Sequence, residues 1–258
     1  MRAIWTGALS FGLVNIPIRL YSATSGTELD LTMLHKKDLS PIRYARICRA
    51  DGKEVPYEDI VKGYEYRKGD YVILTDEDFK KANVEKTKAI EIQEFAKESE
   101  IDPIYFEKPY YLEPEKGAEK AYTLLRESLK KSKKVGIAKF VLRNRERLAA
   151  IKPSGNALVL EQMRFENEIR TPTELNLPDA KKAGSKEIQM ALALIEQLTE
   201  HFNPKAYKDT YHDELKRVIE AKAKGKPIKA KGREPKATEV TDLMAMLKKS
   251  LEKEKAKA

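Results

Sequence analysis

The chain has 258 residues, 41% of them hydrophobic and 35% charged, with a formal net charge of +9. That length holds one large domain or one domain with appendages, and the positive balance favours an anionic partner. No apolar run approaches the ~20 residues of a membrane span, and Cys48, the lone cysteine, excludes an intrachain disulfide and fits a reducing cytoplasm.

Residues 1–21 read as β. Trp5, Gly7, Leu9 and Phe11 alternate with Ile4, Thr6, Ala8 and Ser10, and Val14, Ile16, Ile18 and Leu20 alternate with Asn15, Pro17, Arg19 and Tyr21. Period two is the mark of strands with one face in a core. Pro17 suggests an edge strand or a bulge, since it cannot donate to a ladder. Thr6, Ser10, Asn15 and Pro17 also interrupt the apolar stretch, so no signal peptide is expected.

Residues 34–68 (LHKKDLSPIRYARICRADGKEVPYEDIVKGYEYRK) show neither helical nor sustained strand periodicity. Such a stretch cannot bury a core of its own, and long structureless segments in a compact domain are uncommon. Lys36, Lys37, Arg43, Arg46, Arg49, Lys53, Lys62, Arg67 and Lys68 spread cations along it. Two readings stay open here, a solvated loop or an arm lying along a polyanion.

Residues 71–74 are a short strand candidate, and Thr75 with Asp78 resembles a helix cap. Asp76 and Asp78 suit capping, where the helix dipole stabilises acids, better than a metal or catalytic dyad. Residues 89–95 and 104–112 supply further strands. The aromatics Tyr105, Phe106, Tyr110 and Tyr111 fit sheet packing more readily than base stacking. Residues 115–131 form a helix by pattern, with Ala118, Ala121, Tyr122, Leu125 and Leu129 on one face. A β-meander follows over 135–142, 148–151 and 157–163, and Arg143, Arg145 and Arg147 bunch at its first hairpin. They suit phosphate contact or gatekeeping of an exposed turn.

From Gly184 the period becomes helical. Ser185 caps a helix with the stripe Ile188, Ala191, Leu192, Ile195, Leu198 and Phe202. Pro204 ends it, and a second helix carries Tyr211, Leu215, Val218 and Ile219 to near Gly225. A β-rich body followed by a helical hairpin implies an α+β fold or two subdomains. Residues 221–236 are a basic low-complexity linker with Lys222, Lys224, Lys226, Lys229, Lys231, Arg233 and Lys236 against Glu234 alone, a pattern suited to phosphate. Beyond it Val240, Leu243, Met244, Leu247 and Leu251 make one apolar stripe on a short helix, which either docks on a partner or folds back on the body.

No P-loop, dinucleotide glycine fingerprint or nucleophile elbow is present. One cysteine and His35, His201 and His212 cannot make a zinc site of the usual spacing, and no acidic motif points to a two-metal nuclease. Nothing in the sequence argues for an enzyme or a cofactor.

Taken together, MRAIW, SFGLVNIPIRLYSAT, LHKKDLSPIRYARIC, DGKEVPYEDIVKGYEY, LTDEDF, EIDPIYFEKPYYLEP, KVGIAKFVLR, MALALIEQL, FNPKAYKDTYHDEL and VTDLMAMLKKSL resemble, in that order and over nearly the full length, the bacterial Ku family of DNA end-binding proteins. The resemblance implies an α+β fold: a β-barrel core over 1–183 with a bridge at about 34–68, a helical arm over 184–225, and a basic linker with a docking helix over 226–258. It also implies a homodimeric ring threaded by double-stranded DNA ends, recruitment of an ATP-dependent DNA ligase in non-homologous end joining, no catalysis, and a place on the nucleoid. The alternative from another class is an architectural protein coating duplex DNA through its basic tail. The residues expected on DNA are Lys36, Lys37, Arg43, Arg46, Arg49, Lys53, Arg143, Arg145, Arg147, Lys222, Lys224, Lys226, Lys229, Lys231 and Arg233. Those expected on the ligase are Val240, Leu243, Met244, Leu247 and Leu251.

Overall fold

The computed structural model describes residues 1–26, 29–82, 88–143, 145–179 and 184–225, with 247, 248, 250 and 252. It divides into two units, Met1–Thr171 and Pro172–Ala258.

In the first unit, seven strands close a barrel: β1 (Trp5–Phe11), β2 (Val14–Ser22), β5 (Ala89–Lys97), β6 (Phe106–Pro114), β7 (Lys134–Leu142), β8 (Arg145–Ser154) and β9 (Ala157–Met163). Their order around it is β1-β2-β6-β9-β8-β7-β5. Every junction is antiparallel except β1 with β5, where the barrel closes in parallel through Ala8 opposite Ala89 to Phe11 opposite Ile92. Gly7 makes that closure possible. A Cβ there would sit 2.2 Å from the Lys88 carbonyl oxygen, a distance no side chain tolerates.

In β2 the alternation read from the sequence is the alternation of burial from Ile16 to Leu20. Leu9, Ile16, Ile18, Leu20, Ile90, Ile151, Leu158 and Leu160 are fully buried and fill the interior. Closing the sheet leaves no edge to protect. Pro17 is therefore on neither an edge nor a bulge, contrary to the expectation. It faces Ala8, whose N–H turns away to Lys88 O at 2.8 Å, so this pair exchanges no ladder bond and the missing donor costs nothing on the β1 side.

Helix α2 (Glu119–Ser132) packs on β2, β7 and β8 with Tyr122, Leu125 and Leu129 inward, as its periodicity predicts. Tyr122 is the anchor. Its buried hydroxyl donates to Leu112 O at 2.7 Å and accepts from Leu158 N at 2.6 Å, tying the helix to β6 and β9. A smaller cluster of Val135, Ala150 and Met163 is covered by Tyr105 and Phe106, so these two aromatics serve packing.

Between β2 and β5 the chain leaves the barrel. Its only regular strands among the described residues are β3 (Lys62–Arg67) and β4 (Asp70–Leu74), a two-stranded hairpin apart from the barrel sheet. The stretch expected to lack structure thus ends in a strand. All of β3 is exposed, which is why no burial period marked it. Helix α1 (Asp76–Ala82) follows. Thr75 N and Oγ1 donate to Asp78 Oδ2 at 2.9 and 2.7 Å, and Asp78 N donates to Thr75 Oγ1 at 3.3 Å. This reciprocal cap settles the role of Asp78.

The second unit holds α3 (Ser185–Leu198) and α4 (Thr210–Ala223). Gly184, rather than Ser185, is the N-cap of α3, and Glu187 accepts its N–H at 2.8 Å. Asp209 caps α4 by accepting from His212 N at 2.9 Å.

Candidate nucleic-acid interface

The segment between β2 and β3 is built as two fingers. Leu34 bridges Pro41, and Ile47 bridges Glu54, both antiparallel. In the first finger His35 N donates to Ser40 O at 2.8 Å and Leu39 N to His35 O at 2.8 Å. In the second Cys48 N donates to Lys53 O at 2.8 Å and Gly52 N to Cys48 O at 2.9 Å. An aspartate braces each turn by accepting the N–H two residues on: Asp38 from Ser40 at 3.1 Å, Asp51 from Lys53 at 3.2 Å. The Ser40 backbone N–H, followed by the His35 ring 2.9 Å away, holds the Asp38 carboxyl below the usual carboxylate range. Sequence reading missed the fingers, although Asp38-Leu39-Ser40 and Asp51-Gly52-Lys53 are the turn signals that could have found them.

The cations of this segment are exposed but not equally free. Arg43 lies 3.7 Å from Glu54, Lys53 lies 3.9 Å from Asp51, and the Arg46 guanidinium sits 5.1 Å from the Tyr57 ring centre. Lys36, Lys37 and Arg49 have no ion pair among the described residues and sit in the turns. Apolar side chains are exposed beside them, Tyr44 at 85%. A segment that buries so little, and is shaped by its own backbone bonds, suits a surface presented to a partner.

The second cluster is at the β7–β8 hairpin. Arg143 occupies the turn with φ +52, Arg145 opposes Leu142, and Arg147 opposes Phe140. Arg145 and Arg147 share the strand face whose deeper residues, Ala149 and Ile151, point into the barrel. Arg143 and Arg147 reach a cavity of about 260 Å³ at the barrel's mouth, together with Glu107, Lys108, Tyr110 and Gln162. A bulge in β6 between Phe106 and Lys108 delivers two consecutive side chains, Glu107 and Lys108, to that cavity. Burial raises the Tyr110 phenol above its ordinary range, and Arg143 and Arg147 pull it back. No period in the sequence announces a bulge, so Lys108 was not singled out.

In the second unit Lys222 is in the last turn of α4 and Lys224 is its C-cap, both exposed. Lys226, Lys229, Lys231 and Arg233 lie outside the described residues, as do Val240, Leu243, Met244 and Leu251. Leu247 is described, helical and half-buried. Among the described residues no three His, Cys, Asp or Glu side chains could hold a metal ion, and no helix is long and apolar enough to cross a membrane.

The barrel and its excursion match a family model. Residues 10–190 fit Ku, described as the Ku70/Ku80 β-barrel domain. Proteins named "Non-homologous end joining protein Ku" align over nearly the whole chain. The one from Opitutus terrae is 49% identical over 97% of this chain and 91% of its own length. Those from Coxiella burnetii and Bacillus subtilis are 43% and 42% identical, over 99% and 98% of this chain and 96% and 82% of theirs. The chain belongs to the Ku family.

Proposed function

We propose that this protein binds the ends of double-stranded DNA without regard to sequence and acts in non-homologous end joining. The observation that carries the reading is the two-fingered excursion, which sets exposed cations on a segment that contributes nothing to the barrel core. Its chemistry is that of phosphate contact, which fixes position without reading bases. The names of the relatives, over this coverage, support the pathway.

The fuller form is a homodimeric ring through which the duplex end passes, working at the nucleoid. An apolar stripe on α3, with Leu192 and Ile195 about three-fifths exposed, supports a subunit contact. We assign the barrel and bridge to 1–183, a helical arm to 184–225, and a basic linker with a helix that docks an ATP-dependent DNA ligase to 226–258. On the DNA we place the finger cations Lys36, Lys37, Arg43, Arg46, Arg49 and Lys53 first. No catalytic step is assigned to the chain.

Topology tests the ring. Linear and covalently closed DNA of the same sequence and length are compared for binding, with the oligomeric mass measured on the same sample. A ring binds the linear form and leaves the closed form largely free; equal binding to both overturns it. Removing residues 221–258 separates the alternative of tail-driven coating: a ring retains end binding, whereas a coating protein loses it.

A further inference from the structure

The barrel mouth carries charge that the fold does not use. Lys108, Arg143 and Arg147 line one cavity with Glu107 as the sole carboxylate, a local surplus of two positive charges. None of the three cations has an ion pair among the described residues. Lys108 instead lies 5.7 Å from the Tyr110 ring centre. Glu107 is occupied by Gln162, whose Nε2 donates to it at 2.7 Å. The buried Tyr110 hydroxyl has only a 3.4 Å approach to Gln162 Oε1, at the long limit for a hydrogen bond, so its proton is weakly committed and can be offered upward.

Two guanidiniums and an ammonium around a small concave space recognise an oxyanion, since the guanidinium fork matches paired oxygens. Size and charge narrow the class. About 260 Å³ admits a tetrahedral oxyanion and a modest substituent but no duplex. The surplus of two charges is cancelled by a dianion, whereas a carboxylate or a phosphodiester leaves one charge unbalanced. Phosphomonoesters are largely dianionic at neutral pH, their second ionisation lying near pH ~6.

We infer that the mouth of the barrel is a binding site for a phosphomonoester dianion, held by Arg143, Arg147 and Lys108 with Tyr110 as hydrogen-bond donor. The site stands apart from duplex binding, because the interior of a DNA strand offers only diesters. Its ligand is a phosphomonoester either free in solution or at the terminus of a DNA strand.

The test uses the full chain and titrates inorganic phosphate and phenyl phosphate, followed by 31P NMR and calorimetry. Saturable binding of one equivalent per chain is expected. The double variant Arg143→Gln/Arg147→Gln weakens it at least about tenfold, while Lys130→Gln, which removes one charge on the exposed face of α2, leaves it unchanged. Should the double variant fail to fold, Lys108→Gln and Tyr110→Phe read the same site, each with a severalfold loss. Dimethyl phosphate, a monoanionic diester, does not compete. Hairpin duplexes with one open end, carrying a 5′-phosphate or a 5′-hydroxyl, identify the source. Tighter binding of the phosphorylated end, lost in the double variant, assigns the DNA terminus; equal binding assigns the free ester. Absence of saturable phosphate binding, equal binding by wild type and double variant, or displacement by dimethyl phosphate overturns the site.

Discussion

The barrel and the excursion between β2 and β3 use the same kinds of residue in opposite ways. In the barrel, Ile18 and Leu20 are fully buried and every second side chain faces a common interior. In the excursion, Leu39 is 69% exposed and the shape comes from backbone bonds across two bridges and from aspartates bracing turns. The first region is held by the hydrophobic effect, summed over many side chains. The second is held by local hydrogen bonds, each worth little net in water, and so keeps its side chains available. If the fingers bind DNA as proposed, the duplex contacts lie outside the residues that hold the barrel together, and changes in one region should leave the other alone.

The largest effect expected from that separation is on folding. Leu20→Ala empties a fully buried position shared by β2 and the interior cluster, and should cost about 2–5 kcal/mol. Leu39→Ala, the same change in the first finger, should stay within about 0.5 kcal/mol. Urea denaturation of the two variants measures both. Comparable losses would mean that the fingers share the barrel's cooperative unit.

The next effect is on binding. Charge reversal at Arg43, Arg46 and Arg49 should lower duplex affinity by roughly one to two orders of magnitude at low salt, with the melting temperature unchanged. Every phosphate left without its cation flattens the log–log salt dependence by about 0.9, so a slope shallower by about 2 to 3 is the signature of all three. Arg49→Glu should carry the largest single share. Arg43 is partly neutralised by Glu54 3.7 Å away, and Arg46 rests on Tyr57. An unchanged affinity would remove the fingers from the interface.

The same contrast explains how much of the molecule was legible in its sequence. A strand whose faces alternate in burial, such as β2, announces itself through Ile16, Ile18 and Leu20. So does α2, through Tyr122, Leu125 and Leu129. Where burial is absent, period carries nothing: β3 is exposed on both faces and went unseen. Closure of the sheet was equally invisible from periodicity. It depends on the parallel junction of β1 with β5, a pairing across β2 and the whole excursion, and Pro17 looked like an edge residue only because that closure cannot be read locally. The cations were visible as types and spacing. Which of them are already paired, and that Arg143 and Arg147 converge with Lys108 on one cavity, depends on register and on a bulge.

The smallest effect separates order from charge within a finger. Asp38 accepts from Ser40 N and from the His35 ring, and its carboxyl is held below the usual range by those bonds, the Ser40 N–H first. Because the folded group is the stronger acid, its contribution is present above the ordinary aspartate range of about pH 4 and is lost as pH falls through its own lower value. Acidification in that window should shift the Ser40 amide resonance while the Leu158 amide, bonded to Tyr122 in the barrel, stays put. At neutral pH two substitutions make the same distinction. Asp38→Asn and Asp38→Ala both delete one negative charge beside Lys36 and Lys37, so their Coulombic effect on a polyanion is equal and favourable. Only asparagine keeps an oxygen for the Ser40 N–H. If the order of the finger contributes to binding, the Asn variant binds duplex a few-fold more tightly than the Ala variant. Equal affinities would mean that the fingers act as tethered charge alone, and that their hydrogen-bonded shape contributes nothing to holding DNA.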